Sequence, residues 1–189
     1  MANARQTKAA NVFNNAFSTS AAYAGGDAKP LFSTTHPTIS AGDQSNRVSS
    51  DLSETALENA LIDVSLFKDD RGILIGASAV SLHIPPQLKF VAHRILKSEG
   101  RVATADNDVN AMRDMGLFSK GYTVNHRFTD SNAWFIRTDV PNGTKMFVRA
   151  PLATKDDEDF LTGNMRYKAR ERYSFGWSDP LGMWGSSGS

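Results

Sequence analysis

The 189-residue chain contains no cysteine, which excludes disulfide bonds, thiolate metal sites and a cysteine nucleophile. No window approaches the roughly eighteen apolar residues that a membrane-spanning helix needs, and the N-terminal run MANARQTKAANVF has no apolar core of a signal peptide. An excess of either charge is also missing, because 21 Lys and Arg stand against 20 Asp and Glu. The composition therefore predicts a soluble cytoplasmic protein that neither coats nucleic acid nor carries an acidic tail.

Recognisable catalytic motifs are absent as well. The histidines lack metal-ligand spacing, and each is interpreted as a surface or hydrogen-bonded structural residue: His36, His83, His93 and His126. The acidic run within residues 155–159 lacks the spaced ligands of a calcium loop, which favours a solvated connection. Gly25-Gly26 lacks the lysine of a phosphate loop, and no serine lies in a nucleophile elbow. These absences predict a protein with no cofactor, no metal and no enzymatic activity.

The most regular stretch of the sequence runs from Met165 to Trp177, MRYKARERYSFGW. Apolar and basic side chains alternate along it with a period of two, which predicts a long β-strand with two different faces. At about 3.3 Å per residue the strand could reach roughly 43 Å, which suits an elongated subunit. The aromatic row is predicted to be core: Tyr167, Tyr173, Phe175 and Trp177.

The other row of this strand is basic and is a candidate subunit interface: Arg166, Lys168, Arg170 and Arg172. Two interpretations stay open for it, a solvated sheet face or a row of partners for carboxylates on a neighbouring subunit. Glu171 interrupts the aromatic row. It is consistent with a local bend or sheet edge, or with a partner across a subunit boundary, so it joins the candidate interface.

Helical patterns occur at four places. Residues 2–17 contain good helix formers with one apolar side, and a second helix follows Ser53, which is a plausible N-cap. Pro85-Pro86 opens a third helix over residues 88–96. A shorter helix is predicted over residues 107–115, started by Asp106 or Asn107.

Short apolar runs predict the remaining strands. They cover residues 73–75, 79–84, 122–128 and 133–138. Asn142-Gly143 predicts a tight hairpin turn between WFIRTDVP and TKMFVRA. The acidic run 155–159 would join this hairpin to the long strand, and the chain would end in a Gly/Ser tail that carries Trp184. These elements predict an α+β fold.

The ending GNMRYKARERYSFGWSDPLGMWGS resembles the C-terminal part of major capsid proteins from tailed bacteriophages, the Mu-like major head subunit group. Similar segments occur in the family's order along nearly the whole chain: ARQTKAANVFNNAF, GGDAKPLFSTTHPT, DLSETALENALIDV, DDRGILI, SLHIPPQLKFVAHRILKS, ATADNDVNAMRDMG and TDSNAWFIRTD. The resemblance implies the Hong Kong 97 type capsid fold. Residues 1–72 and 149–189 would form the peripheral domain, and residues 73–148 the axial domain. Residues 2–17 would be the end of the spine helix, with the N-terminal arm and extended loop missing.

The resemblance also implies a function. The chain would be the structural head subunit of a tailed double-stranded DNA phage, built into hexamers and pentamers of an icosahedral shell. Its partners would be copies of itself, portal or scaffold proteins, and packaged DNA held without sequence-specific contact, with no membrane. It would be assembled in the bacterial host cytoplasm and reside in the virion capsid. The alternatives are a metal-dependent hydrolase that uses the acidic run and His126, or a tail or decoration protein of the same virus.

Overall fold

The computed structural model describes residues 2–40, 42–100, 109–158 and 160–189. Its centre is a five-stranded mixed sheet in the order β1-β7-β4-β2-β3. β1 pairs with β7 and β2 with β3 in parallel, whereas β4 lies antiparallel to both β2 and β7. The five strands are β1 (Arg47–Val48), β2 (Ala79–Ile84), β3 (Tyr122–Val124), β4 (Trp134–Thr138) and β7 (Met183–Ser186).

Among the described residues, four α-helices accompany the sheet: α1 (Ala2–Asn14), α2 (Glu54–Ser65), α3 (Lys89–Lys97) and α4 (Ala111–Asp114). The Ser53 cap is confirmed, since its hydroxyl accepts a hydrogen bond from the Ala56 N–H at 3.1 Å. Pro86 begins a 3-10 turn that leads into α3. α4 is capped by Asn110. The expected starts at residues 106 and 107 lie outside the described residues.

Each face of the sheet covers its own apolar core, because successive strand residues point to opposite sides. One core packs α2 and α3 against Trp134, Ile136 and Trp184, whose two indole rings lie 5.1 Å apart. The other packs the end of α1 against Phe32, Phe135 and Met183. The α+β class predicted from the sequence is confirmed.

The C-terminal residues form a central strand, so the predicted Gly/Ser tail is wrong. β7 lies between β1 and β4, and Trp184 is buried. Gly185 permits this placement because the ring of Phe32 lies against its backbone. A Cβ added at Gly185 would stand 2.9 Å from three ring atoms of Phe32. A short sequence rich in glycine and serine therefore completes the sheet.

Two further expectations are wrong. Residues 73–75 are exposed and make an isolated bridge from Leu74 to Lys68 instead of a buried strand. Asn142-Gly143 does turn the chain, with Asn142 at φ +66, but β4 does not pair with the strand that follows the turn. Gly143 packs closely on Gly182 at the point where the chain leaves the sheet and enters a second structure.

That second structure is a two-stranded antiparallel ribbon of β5 (Thr144–Glu158) and β6 (Met165–Trp177). The long strand predicted over 165–177 is confirmed. The acidic run is not a connection, because residues 155–158 continue β5 in register with β6. The expected boundary between residues 148 and 149 falls inside β5, and the five-stranded sheet draws strands from all three expected segments. The assignment of these segments to peripheral and axial domains stays a prediction.

Candidate subunit interface

The half of the ribbon next to the body is held by α1. The Arg5 guanidinium pairs with the Glu171 carboxylate, and its Nε donates at 2.9 Å. This hydrogen bond is the main reason that the pKa of Arg5 is raised. The Lys8 ammonium lies 5.0 Å from the centre of the Tyr173 ring, and Arg5 lies 5.5 Å from it, both within cation–π range. Glu171 therefore has a partner within its own subunit, and its role in a subunit interface stays a prediction.

The aromatic row of β6 divides into two parts. Tyr173 and Phe175 meet edge to face at 5.6 Å, and Trp177 covers Gly25, so these three side chains are half-buried against the body. Tyr167 is 80% exposed. Its expected core position is wrong for the single subunit, because the ribbon has left the body by that point. The alternation in the sequence identifies the face but not where the covering structure stops.

The basic row lies on the opposite, exposed face of β6. In the register of the ribbon each member has a cross-strand neighbour: Arg166 opposes Asp157, Lys168 opposes Lys155, Arg170 opposes Ala153 and Arg172 opposes Ala150. Lys155 and Lys168 are like charges placed directly opposite each other, an unfavourable arrangement on a sheet. The role of this row in subunit contact stays a prediction.

The turn of the ribbon carries two large apolar side chains. Phe160 is 99% exposed and Leu161 is 90% exposed. Further large apolar side chains are exposed along β5: Met146, Phe147, Val148 and Leu152. Large apolar side chains exposed on one element in this way favour protein association. This feature was not predicted from the sequence, although the pair Phe160-Leu161 inside an otherwise polar turn was the available signal.

A buried polar cluster ties the loop before β1 to the C-terminal strand. The Asn46 amide donates to the carbonyls of Leu31 at 2.8 Å, Pro180 at 2.9 Å and Met183 at 3.2 Å. Its Oδ1 accepts from the Ser33 N–H at 3.0 Å. No sequence signal identified Asn46, since an asparagine in a polar loop is ordinary.

Two histidines lie beside polar partners; His36 is buried and His83 is half-buried. His36 Nδ1 lies 2.6 Å from an Asp27 carboxylate oxygen, and its Nε2 lies 3.2 Å from Asn46 Oδ1. His83 Nε2 lies 3.0 Å from the Ser81 hydroxyl. Burial is the main cause that lowers the pKa of His83, and the positive charge of Arg137 adds to it. Both are structural histidines in this arrangement.

Within the described ranges, no group of three or more His, Asp and Glu side chains is placed to hold a metal ion. No helix in the described part of the chain is long and apolar enough to cross a bilayer. The acidic run extends along one strand edge of the ribbon, so Asp156 and Asp157 point to opposite faces. Neighbouring carboxylates on opposite faces of a strand do not converge on one metal ion.

Comparison with known proteins gives one family. No curated protein matches the chain. A solved virus-like particle from Pyrococcus furiosus is similar over 74% of this chain at 14% identity with a TM-score of 0.46, and the match spans 55% of that chain. This likeness is too low to carry an argument. A family model described as phage capsid protein matches residues 1–185. The chain therefore belongs to the phage capsid protein family, which points to a structural, non-enzymatic component of a virion.

Proposed function

We propose that this protein is the shell subunit of a tailed double-stranded DNA bacteriophage with the Hong Kong 97 type fold. In this proposal its copies form hexamers and pentamers of an icosahedral capsid, assembled in the host cytoplasm around scaffold and portal proteins. The observation that carries the proposal is the β5–β6 ribbon, whose outer end exposes Phe160, Leu161 and Tyr167.

An exposed ribbon of this length is poorly stabilised in a protein that remains monomeric. A two-stranded hairpin is marginally stable in water without further packing. Each Å² of apolar surface that a neighbour covers contributes about 25 cal/mol, so burial of the ribbon end would stabilise both the ribbon and the contact. Contact between the ribbon of one copy and a different surface of the next is head-to-tail, and such contacts close into rings when the rotation permits.

The remaining features are consistent with a protein shell. The formal net charge is +1, which suits a surface that encloses DNA without binding every phosphate. We assign residues 1–72 and 149–189 to the peripheral domain and residues 73–148 to the axial domain near the ring centre. In this assignment β6 and the part of β5 from residue 149 onward belong to the periphery, and this part of the ribbon would reach outward to neighbouring copies.

Native mass spectrometry of the purified chain over a range of concentrations tests the proposal. We expect species of five and six copies. A variant with Phe160→Ser and Leu161→Ser should lose these species while keeping its melting temperature. Ile39→Ser, which changes an exposed apolar residue away from the ribbon, is the matched control and should assemble normally.

Strictly monomeric protein at every concentration would overturn the proposal. Rings that stack into open tubes would also overturn it, in favour of a tail protein.

A further inference from the structure

We propose that the outer half of the β5–β6 ribbon contains two complementary faces, and that the basic face of one copy packs on the acidic, tyrosine-bearing face of a second copy. The inference rests on the proposed function, because it requires copies that assemble. The sequence pattern offered only the basic row as a candidate interface; the register of the ribbon adds the face on which that row would pack.

The register of the ribbon defines the first face. Residues directly opposite each other in an antiparallel pair point to the same side. Lys155 lies opposite Lys168, Asp157 opposite Arg166, and Ala153 opposite Arg170. This basic face therefore combines four cationic side chains with one carboxylate, and all six residues are exposed.

The same register defines the second face. Its three cross-strand pairs are Thr154 with Ala169, Asp156 with Tyr167, and Glu158 with Met165. This acidic face has two carboxylates and no basic residue. It also has an apolar centre, since Tyr167 is 80% exposed and Met165 is 55% exposed.

The two faces cannot satisfy each other within one copy, because they are the two sides of a single two-stranded ribbon. The Lys155–Lys168 pair is repulsive across the strands, and an acidic partner would relieve that repulsion. Asp156 and Glu158 would gain from a cationic partner in the same way. A second copy of the chain presents both partners at the matching strand spacing.

The inner half of the ribbon shows how the acidic face would be used. There Glu171 and Tyr173, two residues apart on β6, bind the Arg5 and Lys8 side chains through an ion pair and cation–π contacts. The outer half repeats the combination of carboxylate and tyrosine, in Asp156 and its neighbour Tyr167, beyond the half-buried part of β6. We infer that Lys168 and Arg170 of the second copy take the positions that α1 fills on the inner half.

Nucleic acid fits this ribbon less well. Asp157 lies within the basic face, and Asp156 and Glu158 lie directly behind it, so a phosphate backbone would meet three carboxylates close to the lysines. A protein surface with mixed charge accommodates both signs. DNA binding is therefore a competing outcome of the test.

The test uses charge reversal in the whole chain. One variant carries Lys155→Glu and Lys168→Glu, which exchanges one like-charge pair for another and so leaves the cross-strand repulsion unchanged. A second variant carries Asp156→Lys and Glu158→Lys. At low salt each should weaken self-association at least about tenfold in sedimentation velocity, because like charges then meet across the contact. An equimolar mixture of the two variants should restore association.

The control variant carries Lys89→Glu and Lys97→Glu, the same charge change at exposed positions of α3. It should associate like the wild type. Thermal melting of each variant checks that folding is intact.

The outcomes separate this inference from the proposed function. The ribbon contact would be overturned if the wild type forms rings and both charge-reversed variants form them too. It would also be overturned if the mixture of variants does not recover self-association. Either result would leave the shell proposal standing. Small wild-type oligomers that never form rings, but that respond to reversal and recover on mixing, would support the contact and overturn the shell. A wild type that does not associate, or variants that lose only binding to duplex DNA, would overturn the contact.

Discussion

Arg5 and Glu171 form an ion pair that joins the first helix of the chain to its last long strand, 166 residues apart in sequence. The Glu171 side chain is only 9% exposed, whereas that of Arg5 is 40% exposed. The pair lies where the half-buried part of β6 ends. Beyond it the strand has exposed side chains on both faces.

The single variant Arg5→Ala should have a lower melting temperature than the double variant that carries both Arg5→Ala and Glu171→Ala. The reason is that the single change leaves a largely buried carboxylate without its cation, whereas the double change removes both charges. Thermal denaturation of the two single variants and the double variant forms a mutant cycle. Additive changes in melting temperature would show that the pair contributes nothing to folding.

Asn46→Ala should reduce the free energy of unfolding by about 3–5 kcal/mol. The change leaves three backbone carbonyls and the Ser33 N–H without their buried partner, and each unsatisfied group costs about 1–3 kcal/mol before relaxation. Chemical denaturation measures the effect. Asn15→Ala, which removes a surface hydrogen bond to the Asn11 carbonyl, is the control and should change little. A loss below 1 kcal/mol for Asn46→Ala would contradict the account.

The stability of the fold should fall in mild acid because of His83. Its pKa in the folded state is lowered from the ordinary 6.5, mainly by burial, so the unfolded chain takes up the proton first. This contribution is complete above pH 6.5 and is lost as the pH falls below that value. Denaturation at a series of pH values should show the loss, and His83→Gln should reduce it. His93→Gln, at an exposed position of α3, should keep it; equal slopes for all three proteins would contradict the assignment.

Gly185→Ala should destabilise the protein by about 1–3 kcal/mol, the usual range for overpacking a filled core. The added methyl would meet the Phe32 ring, which is itself held by Phe17 at 5.2 Å and Phe135 at 5.3 Å. Gly26→Ala adds the same group where nothing lies within 4 Å and should be neutral. Equal stability of the two variants would show that β7 does not pack as described.

The sequence predicted the elements whose patterns are long or locally complete. β6 alternates over thirteen residues, β2 is a short and mainly apolar run, and α2 has its own Ser53 cap. Each of these signals is contained in the segment itself. The same signals supported the prediction of the α+β class and the resemblance to capsid proteins.

The failures depend on partners that are distant in the chain. β7 has too few residues to show a period, and its burial comes from β4 and from Phe32, whose contact needs Gly185. The Asn142-Gly143 turn has the right local chemistry, but the strand that pairs with β5 is β6. The candidate interface residues likewise differ in their surroundings, which depend on tertiary structure. Glu171 forms an ion pair with Arg5, whereas the outer residues of the same strand are exposed.

Single-particle electron microscopy of the assembled chain tests the central claim most directly. The account predicts closed rings of five and six copies, with the β5–β6 ribbon of each copy in contact with a neighbour. Dispersed single copies, or rings in which the ribbon extends into solvent and touches no neighbour, would contradict it.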